Sequence, residues 1–317
     1  MSRAGAAPRS RNATDGAGLA LLSGRTGLSA AAACACMAAG CGSAREATAS
    51  RFVRPDVIPS RAPLHPPRTY DAPYADSAIA VDGRADDPAW SAAPWSEAFV
   101  DIEGSDRPEP RRATRMKMCW DDRYLYALAQ MDEPHLWATC SVRDQIVFHE
   151  NDIEIFIDPD GDSLEYYEIE VNAIGTVFDL QLRRPYRSGG PALHEWNAPG
   201  LRVGIHLEGT VNDPSDTDRG WTCEMAIPWT ALRPLPDPSG APAAQRAAMP
   251  PQPGDTWRIN FSRVQWDIEP MAGGYRKVEG RPEWNWVWSP QWIVDMHVPW
   301  LWGQVTFVRP ESAGRKS

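Results

Sequence analysis

The 317-residue sequence lacks features that would place it in several common classes of protein. It contains no apolar run of about 18 residues or more, the length that a membrane-spanning helix requires. Its 32 basic residues are outnumbered by 42 acidic ones, whereas a nucleic-acid backbone requires a basic face. The motifs Gly-x-Ser-x-Gly and His-Glu-x-x-His and the phosphate-binding glycine loops are also missing. The sequence therefore offers no standard nucleophile, zinc-protease or nucleotide motif.

Residues 1–40 have the composition of an export signal rather than of a folded domain. Four arginines accompany a single aspartate, and the stretch 26–40 carries no charge, as in a secretory signal peptide. The tetrapeptide that ends at Cys41, Ala-Ala-Gly-Cys, resembles a bacterial lipobox, in which the cysteine is lipidated. An ordinary cleaved signal is the alternative. We expect an exported, lipid-anchored protein of the cell envelope, facing the periplasm or in the outer membrane, that touches the membrane only through Cys41.

The rest of the sequence divides into a tether, a body and a tail. Residues 41–76 contain six prolines and are predicted to form a Pro-rich tether. Residues 77–310 are the predicted folded body, with a mobile insertion rich in Pro and Ala at 233–255, and residues 311–317 are a tail. Cys119, Cys140 and Cys223 remain in the exported chain. One disulfide among them is conceivable, and their spacing does not say which pair would form it.

Short runs of alternating polar and apolar residues predict β-strands throughout the body. Residues 115–120 and 124–129 are predicted to form a hairpin, and residues 152–158 and 167–172 a second pair. Helical patterns cover only a turn or two, at 87–90 and 228–232. The expected fold class is all-β: an antiparallel jelly-roll-type β-sandwich with short helical turns and a long Trp-rich loop at 267–302.

Tryptophan is concentrated near the end of the body, where eight of the 15 Trp residues lie between Trp257 and Trp302. Trp284, Trp286 and Trp288 alternate along the chain and therefore share one face if the segment is extended. A flat aromatic surface suits the apolar face of a sugar ring. Packing of the loop onto the sandwich is the alternative for each single residue. For the cluster as a whole we favour a binding role.

Three aspartates follow the strand at 152–157. Asp158, Asp160 and Asp162 begin like a calcium loop, in which hard oxygen ligands gather on a tight turn. The twelfth position of that pattern is Ile169 instead of the usual glutamate. A polar hairpin turn is the alternative to a structural Ca²⁺ site.

Two catalytic or redox interpretations stay open at this stage. A pair of carboxylates such as Glu154 and Glu170 is what a glycoside hydrolase needs for acid–base chemistry. A haem held by a Met or His ligand, for example Met116 or Met118, would make the protein a haem-binding or redox-accessory sandwich. Met at alternating strand positions is also typical of core packing.

Several segments, in order, resemble family 9 carbohydrate-binding modules, and the last two resemble the family-9-like proteins of bacterial envelopes most clearly. The resemblance spans residues 79–308. It is carried by residues 82–90, 121–126, 151–158, 166–172, 220–229, 286–290 and 302–307.

This resemblance implies a sandwich that binds sugars without cleaving them, in support of carbohydrate catabolism. Family members hold a terminal sugar between two aromatic rings, add polar contacts and carry structural calcium. Two positions depart from the pattern: a Phe replaces a Trp, which stacks better, and a Glu replaces an Arg, which removes a bidentate donor. The implied binding residues are Trp288 and Phe148 as the two rings, Trp286 from the same cluster, Glu154, Asn172, and Glu170 at the Arg position.

The expected ligand is thus an oligo- or polysaccharide, and the expected partners are glycoside hydrolases of the envelope. A haem-binding sandwich of related fold, a glycoside hydrolase accessory with weak activity of its own, and a structural envelope protein remain the alternatives.

Overall fold

The structure, a computed structural model, describes residues 64–236 and 247–309. The predicted signal peptide, Cys41, residues 42–63 of the tether, the middle of the predicted insertion and the tail lie outside the described residues. Within the described part of the chain, no helix has the length and apolar character needed to cross a membrane.

Nearly all the regular secondary structure of the described residues is β-strand. One short α-helix, α1 (Pro88–Ala92), begins with a proline at its first turn. Single turns of 3-10 helix lie at Gly104–Asp106, Val147–His149, Tyr186–Ser188 and Pro299–Leu301. The strands are β1 (Thr69–Pro73), β2 (Val100–Asp101), β3 (Thr114–Trp120), β4 (Tyr124–Asp132), β5 (Asp152–Asp158), β6 (Tyr166–Asn172), β7 (Val177–Leu182), β8 (Ala192–Leu193), β9 (Arg202–Glu208), β10 (Gly220–Pro228), β11 (Thr256–Gln265), β12 (Ile268–Met271), β13 (Gly274–Lys277), β14 (Trp284–Val287) and β15 (Gly303–Val308).

Two antiparallel sheets form a sandwich, which confirms the predicted fold class. The larger sheet has the order β1-β15-β11-β5-β6-β7-β8, and β14 joins it between β11 and β2. The smaller sheet has the order β3-β4-β10-β9, and β12 and β13 form a separate hairpin. All these pairs are antiparallel except β1 with β15. The hairpin predicted at 115–129 is the β3–β4 pair.

The core lies between the two sheets and follows from the alternation of the strands. Ile153, Ile155 and Ile157 of β5 are fully buried in one cluster with Met116 and Met118 of β3. Because successive side chains on a strand point to opposite faces, the even-numbered residues of β5 and β6 point away from the smaller sheet. That outer face of the larger sheet carries most of the predicted site residues.

Two predicted boundaries change in the structure. Residues 69–73 were expected in the tether, yet they form β1, because Tyr70 and Ala72 alternate with polar residues and bury against the sheet beside β15. The segment 267–302 was expected to carry little strand, yet it contains β12, β13 and β14. The described ends of the predicted insertion, residues 233–236 and 247–255, contain no helix or strand.

Candidate functional site

The outer face of β5 and β6 carries a row of acidic side chains. Glu154 of β5 lies directly opposite Glu170 of β6, and Asp152 lies opposite Asn172. Glu168 is the next outer-face residue along β6. All four acids are at most 6% exposed, and one carboxylate oxygen each from Asp152, Glu154 and Glu170 lie within 4.8 Å of one another. The predicted strand pair therefore brings Glu154 and Glu170 together, with two further acids that the sequence analysis did not select.

Burial raises the pKa of each of these carboxyl groups, because charge is poorly solvated away from water. The pKa of Glu154 rises to about 7, and that of Glu168 rises to about 8 through burial and the nearby charge of Glu154. The pKa values of Asp152 and Glu170 are also raised, by burial first and then by the neighbouring acids. Four acids so close together cannot all be ionised without a compensating positive charge.

Two exposed aromatic side chains border this acidic row. Phe148, in a 3-10 turn, is 39% exposed, and its backbone N–H donates to Glu170 Oε2 at 3.2 Å. Tyr186 is 48% exposed and packs edge-on against His297, with ring centroids 4.5 Å apart. Burial and the charges of Glu168 and Glu170 raise the pKa of Tyr186 to about 12. Phe148 and Tyr186 are thus two exposed aromatic side chains close to the acidic row.

A third aromatic side chain supports Phe148. The Trp266 indole N–H donates to the Phe148 carbonyl at 2.9 Å, and the Lys277 ammonium lies 3.5 Å from the Trp266 ring centroid. From the sequence, Trp266 was predicted only as one of the Trp cluster, and Tyr186 was not predicted as a site residue. Tyr186 lies in a turn between arginines with no alternation around it, so no sequence signal marked it.

Asn172 holds a loop in place and has no hydrogen-bonding capacity left for a ligand. Its amide N–H groups donate to the Cys140 carbonyl at 2.8 Å and to Glu150 Oε1 at 2.7 Å. Its side-chain oxygen accepts from the backbone N–H groups of Ile174 and Thr176. An amide offers two N–H donors and two lone pairs, and all are used. The expectation that Asn172 contacts a sugar is therefore wrong in this structure.

Trp288 and Trp286 lie in the core and not on a binding surface. Trp288 is fully buried, stands edge-on to Tyr70, and covers Gly303 so closely that a Cβ there would lie 2.2 Å from the indole ring. Trp286 is 1% exposed and pairs with Arg263 of β11, whose side chain points to the core. The three alternating Trp residues do share a face, as predicted, but β14 turns that face inward. The expected stacking roles of Trp288 and Trp286 are wrong for this reason.

The three aspartates of the predicted calcium turn do converge. One oxygen each from Asp158, Asp160 and Asp162 lie within 4.8 Å of one another. Asp158 accepts hydrogen bonds from the backbone N–H groups of Gly161 and Ser163. Burial, followed by the charge of Asp160, raises its pKa to about 8. The donor set fits calcium, which prefers carboxylate oxygens, and calcium binding at this turn stays a prediction.

The structure also places the residues on which the haem and hydrolase alternatives depend. Met116 and Met118 are fully buried between the sheets, so core packing accounts for both. Glu154 and Glu170 have oxygens within 4.8 Å of one another on paired strands. Glycoside hydrolysis places its two carboxyl groups on either side of the scissile bond, about 5–9.5 Å apart.

Cys119, Cys140 and Cys223, among which one disulfide was conceivable, are all free thiols in the structure.

The β-sandwich fold agrees with what comparison with known proteins finds. The family described as carbohydrate family 9 binding domain-like matches residues 81–247, which is more than half of the chain. The chain belongs to this family. Its match covers α1, the whole smaller sheet, strands β2 and β5 to β8 of the larger sheet, the acidic row and the two bordering aromatic residues.

Two curated relatives of this family 9 chain match about half of it. They are Exoglucanase XynX of Acetivibrio thermocellus, 28% identical over 152 residues, and Endo-1,4-beta-xylanase A of Thermoanaerobacterium saccharolyticum, 28% identical over 154 residues. These matches cover 48% and 49% of this chain but only 12% and 11% of the relatives. The chain therefore corresponds to one small segment of each relative.

Solved structures are similar in fold. A candidate carbohydrate-binding protein from Bacteroides uniformis superimposes with a TM-score of 0.53 and 16% identity, over 76% of this chain and 99% of its own. A family 9 carbohydrate-binding module from Caldicellulosiruptor kristjanssonii in complex with cellotriose gives a TM-score of 0.45 and 14% identity, over 77% and 96%. The first of these supports the β-sandwich assignment.

Proposed function

We propose that this protein binds a carbohydrate chain without cleaving it, on the outer face of the larger sheet between Phe148 and Tyr186. Family membership supports the ligand class. The single observation that carries the location is that two exposed aromatic side chains lie close to the acidic row. Aromatic faces suit the apolar faces of sugar rings, and the polar groups between them can accept from sugar hydroxyls.

The acidic row supports this location and replaces the guanidinium that related modules use. An Arg would donate two parallel hydrogen bonds to sugar oxygens, whereas Glu168 and Glu170, whose pKa values are raised, accept hydrogen bonds and donate at most one each when protonated. We expect the preferred sugar to present hydroxyl donors toward these residues. Because the curated relatives carry the names of an exoglucanase and a xylanase, the first ligands to test are cello- and xylo-oligosaccharides. We propose glycoside hydrolases of the same compartment as partners.

A titration of the protein with a panel of soluble oligosaccharides, followed by tryptophan fluorescence, tests the function. We expect Phe148→Ala and Tyr186→Ala each to weaken binding by about 1 kcal/mol, since a stacked aromatic pair contributes about that much. The matched control is Trp95→Ala, because Trp95 is also partly exposed but packs against Arg115 of the smaller sheet. Equal losses in all three variants, or no loss in the first two, would contradict the proposed location.

We also propose that the protein is exported and anchored in the cell envelope through lipid on Cys41. The support is the composition of residues 1–41: a basic start, an uncharged middle and small residues before the cysteine. Metabolic labelling with a radioactive fatty acid should mark the wild-type chain and not Cys41→Ser. Equal labelling of both chains, or of neither, would refute the anchor.

Calcium at the turn that contains Asp158, Asp160 and Asp162 is part of the same proposal. The converging oxygens and the chemistry of the donor set support it. Such an ion would hold together the connection between β5 and β6. Asp160→Asn should reduce the calcium-dependent rise in the unfolding temperature, measured by calorimetry with calcium and with chelator.

A further inference from the structure

The acidic row on β5 and β6 contains more buried negative charge than the described residues can balance. Among the residues that the structure describes, no Lys, Arg or His forms a salt bridge with Asp152, Glu154, Glu168 or Glu170. An unpaired buried carboxylate is costly, because the interior cannot replace its hydration. The row must therefore hold either protons or a cation.

Individual atoms in this row also lack hydrogen-bond partners. Within the described ranges, Asp152 Oδ2 and Glu154 Oε2 are buried with no partner, although the two residues are only 1% and 5% exposed. The Ser262 hydroxyl, opposite Glu154 on β11, lies close enough to lower the pKa of Glu154, but it forms no hydrogen bond of good geometry with that carboxylate. Buried polar atoms without partners are rare in folded proteins and call for an explanation such as a bound ion.

The set of ligand atoms fits one particular kind of ion. Calcium accepts several carboxylate oxygens from a protein in flexible geometry, whereas magnesium usually keeps several waters and takes only one or two carboxylates. Asp152, Glu154 and Glu170 offer three buried carboxylates with one oxygen each within 4.8 Å of the others, and this set suits calcium better.

We propose that Asp152, Glu154 and Glu170 form a calcium-binding site on the outer face of the larger sheet, separate from the turn at Asp158. The ion would neutralise the acidic row close to Phe148 and Tyr186, so that an uncharged sugar can approach it. This inference stands without the proposed sugar binding, because it rests only on the carboxylates.

Equilibrium dialysis of the full chain with calcium after chelator treatment tests the site. We expect the double variant Asp152→Asn/Glu170→Gln to bind one calcium fewer than wild type, or to bind it at least about tenfold more weakly, since even loss of a group supporting a metal ligand often costs about tenfold. Asp160→Asn, which alters only the turn, should keep this calcium. Identical calcium binding by the double variant and wild type would overturn the proposal, and so would a wild-type chain that binds no calcium.

A second measurement guards against a folding defect in the variants. The amide substitutions keep the side-chain shape and remove like charges, so the double variant should unfold in chelator at a temperature equal to or above that of wild type. Its rise in unfolding temperature on adding calcium should be smaller than that of wild type. A rise that is unchanged in the double variant but lost in Asp160→Asn would place all the calcium at the turn and overturn the proposal. Sugar titration of the same samples is read separately, so failure of sugar binding leaves this result intact.

Discussion

Two groups of buried charged side chains lie on opposite faces of the larger sheet, and they are balanced in different ways. On the core face, the Arg263 guanidinium is 1% exposed and donates to Glu133, Gln265, Thr114 and the Asp132 carbonyl. On the outer face, the acidic row has no such cation among the described residues. The guanidinium of Arg263 is therefore hydrogen-bonded and paired with an acid, as a buried charge with a structural role must be. The negative charge of the acidic row is balanced only if protons, an ion or a ligand are bound there. Such unbalanced charge is typical of a binding site.

The largest effect that this comparison predicts comes from Arg263. Arg263→Leu leaves Glu133 buried without its partner and should lower the free energy of unfolding by about 3–5 kcal/mol. Glu170→Gln on the outer face should not destabilise the chelator-treated protein, because it removes repulsion. Urea unfolding of both variants measures the two changes. Similar losses in both variants would mean that the acidic row is as structurally complete as the Arg263 group.

The second prediction concerns pH. Folding raises the pKa of Glu154 from 4.5 to about 7 and that of Glu168 from 4.5 to about 8. The folded state then binds more protons than the unfolded state between about pH 4.5 and 8, so stability falls as the pH rises through that range. For the metal-free protein we expect a loss of a few kcal/mol from each of the two groups, at roughly 1.4 kcal/mol for each unit of pKa shift.

The control for the pH prediction is the double variant Glu154→Gln/Glu168→Gln, compared with wild type by urea unfolding in chelator. The variant should lose much of the pH dependence but not all of it, since Asp158, with a pKa of about 8, titrates over the same range. An unchanged slope would show that the acidic row does not titrate as its burial implies.

A smaller effect is expected at Asn172, which links the row to the loop that carries Phe148. Asn172→Ala leaves the Cys140 carbonyl and the Thr176 N–H without this partner, and a buried unpaired group costs about 1–3 kcal/mol. The change should appear in thermal unfolding. It should weaken sugar binding only indirectly, and less than Phe148→Ala does. A larger loss of affinity than in Phe148→Ala would indicate that Asn172 contacts the ligand directly.

The fold could be predicted from the sequence because alternation determines both strand and face. The pattern at 152–158 gave β5, and it correctly separated the core isoleucines from Glu154. The same rule placed Trp284, Trp286 and Trp288 on one face of their strand. It did not predict whether that face points into the core or to the outside. That depends on the pairing of β14 with β11, between residues distant in sequence.

The site was predictable only in part, for a similar reason. Glu154, Glu170 and Phe148 were selected and do lie together. The role of Asn172 depends on contacts with Cys140 and Glu150, more than twenty positions away, and no local pattern reports such contacts. Tyr186 reaches the site through a turn whose path the neighbouring residues do not specify.

The proposed site is distinct from the cavity beside Trp284. A cavity of about 640 Å³ lies near Trp284, lined also by Arg107, Asp267 and Arg281. It offers an aromatic side chain and charged groups, and it is the place where a sugar would bind if the Trp-rich segment were the recognition surface.

The most direct measurement is a crystal structure of the protein with the oligosaccharide that binds best in the titration. We expect a sugar ring between Phe148 and Tyr186, above Glu168 and Glu170. A sugar bound in the cavity beside Trp284, with the space between Phe148 and Tyr186 free, would contradict this expectation.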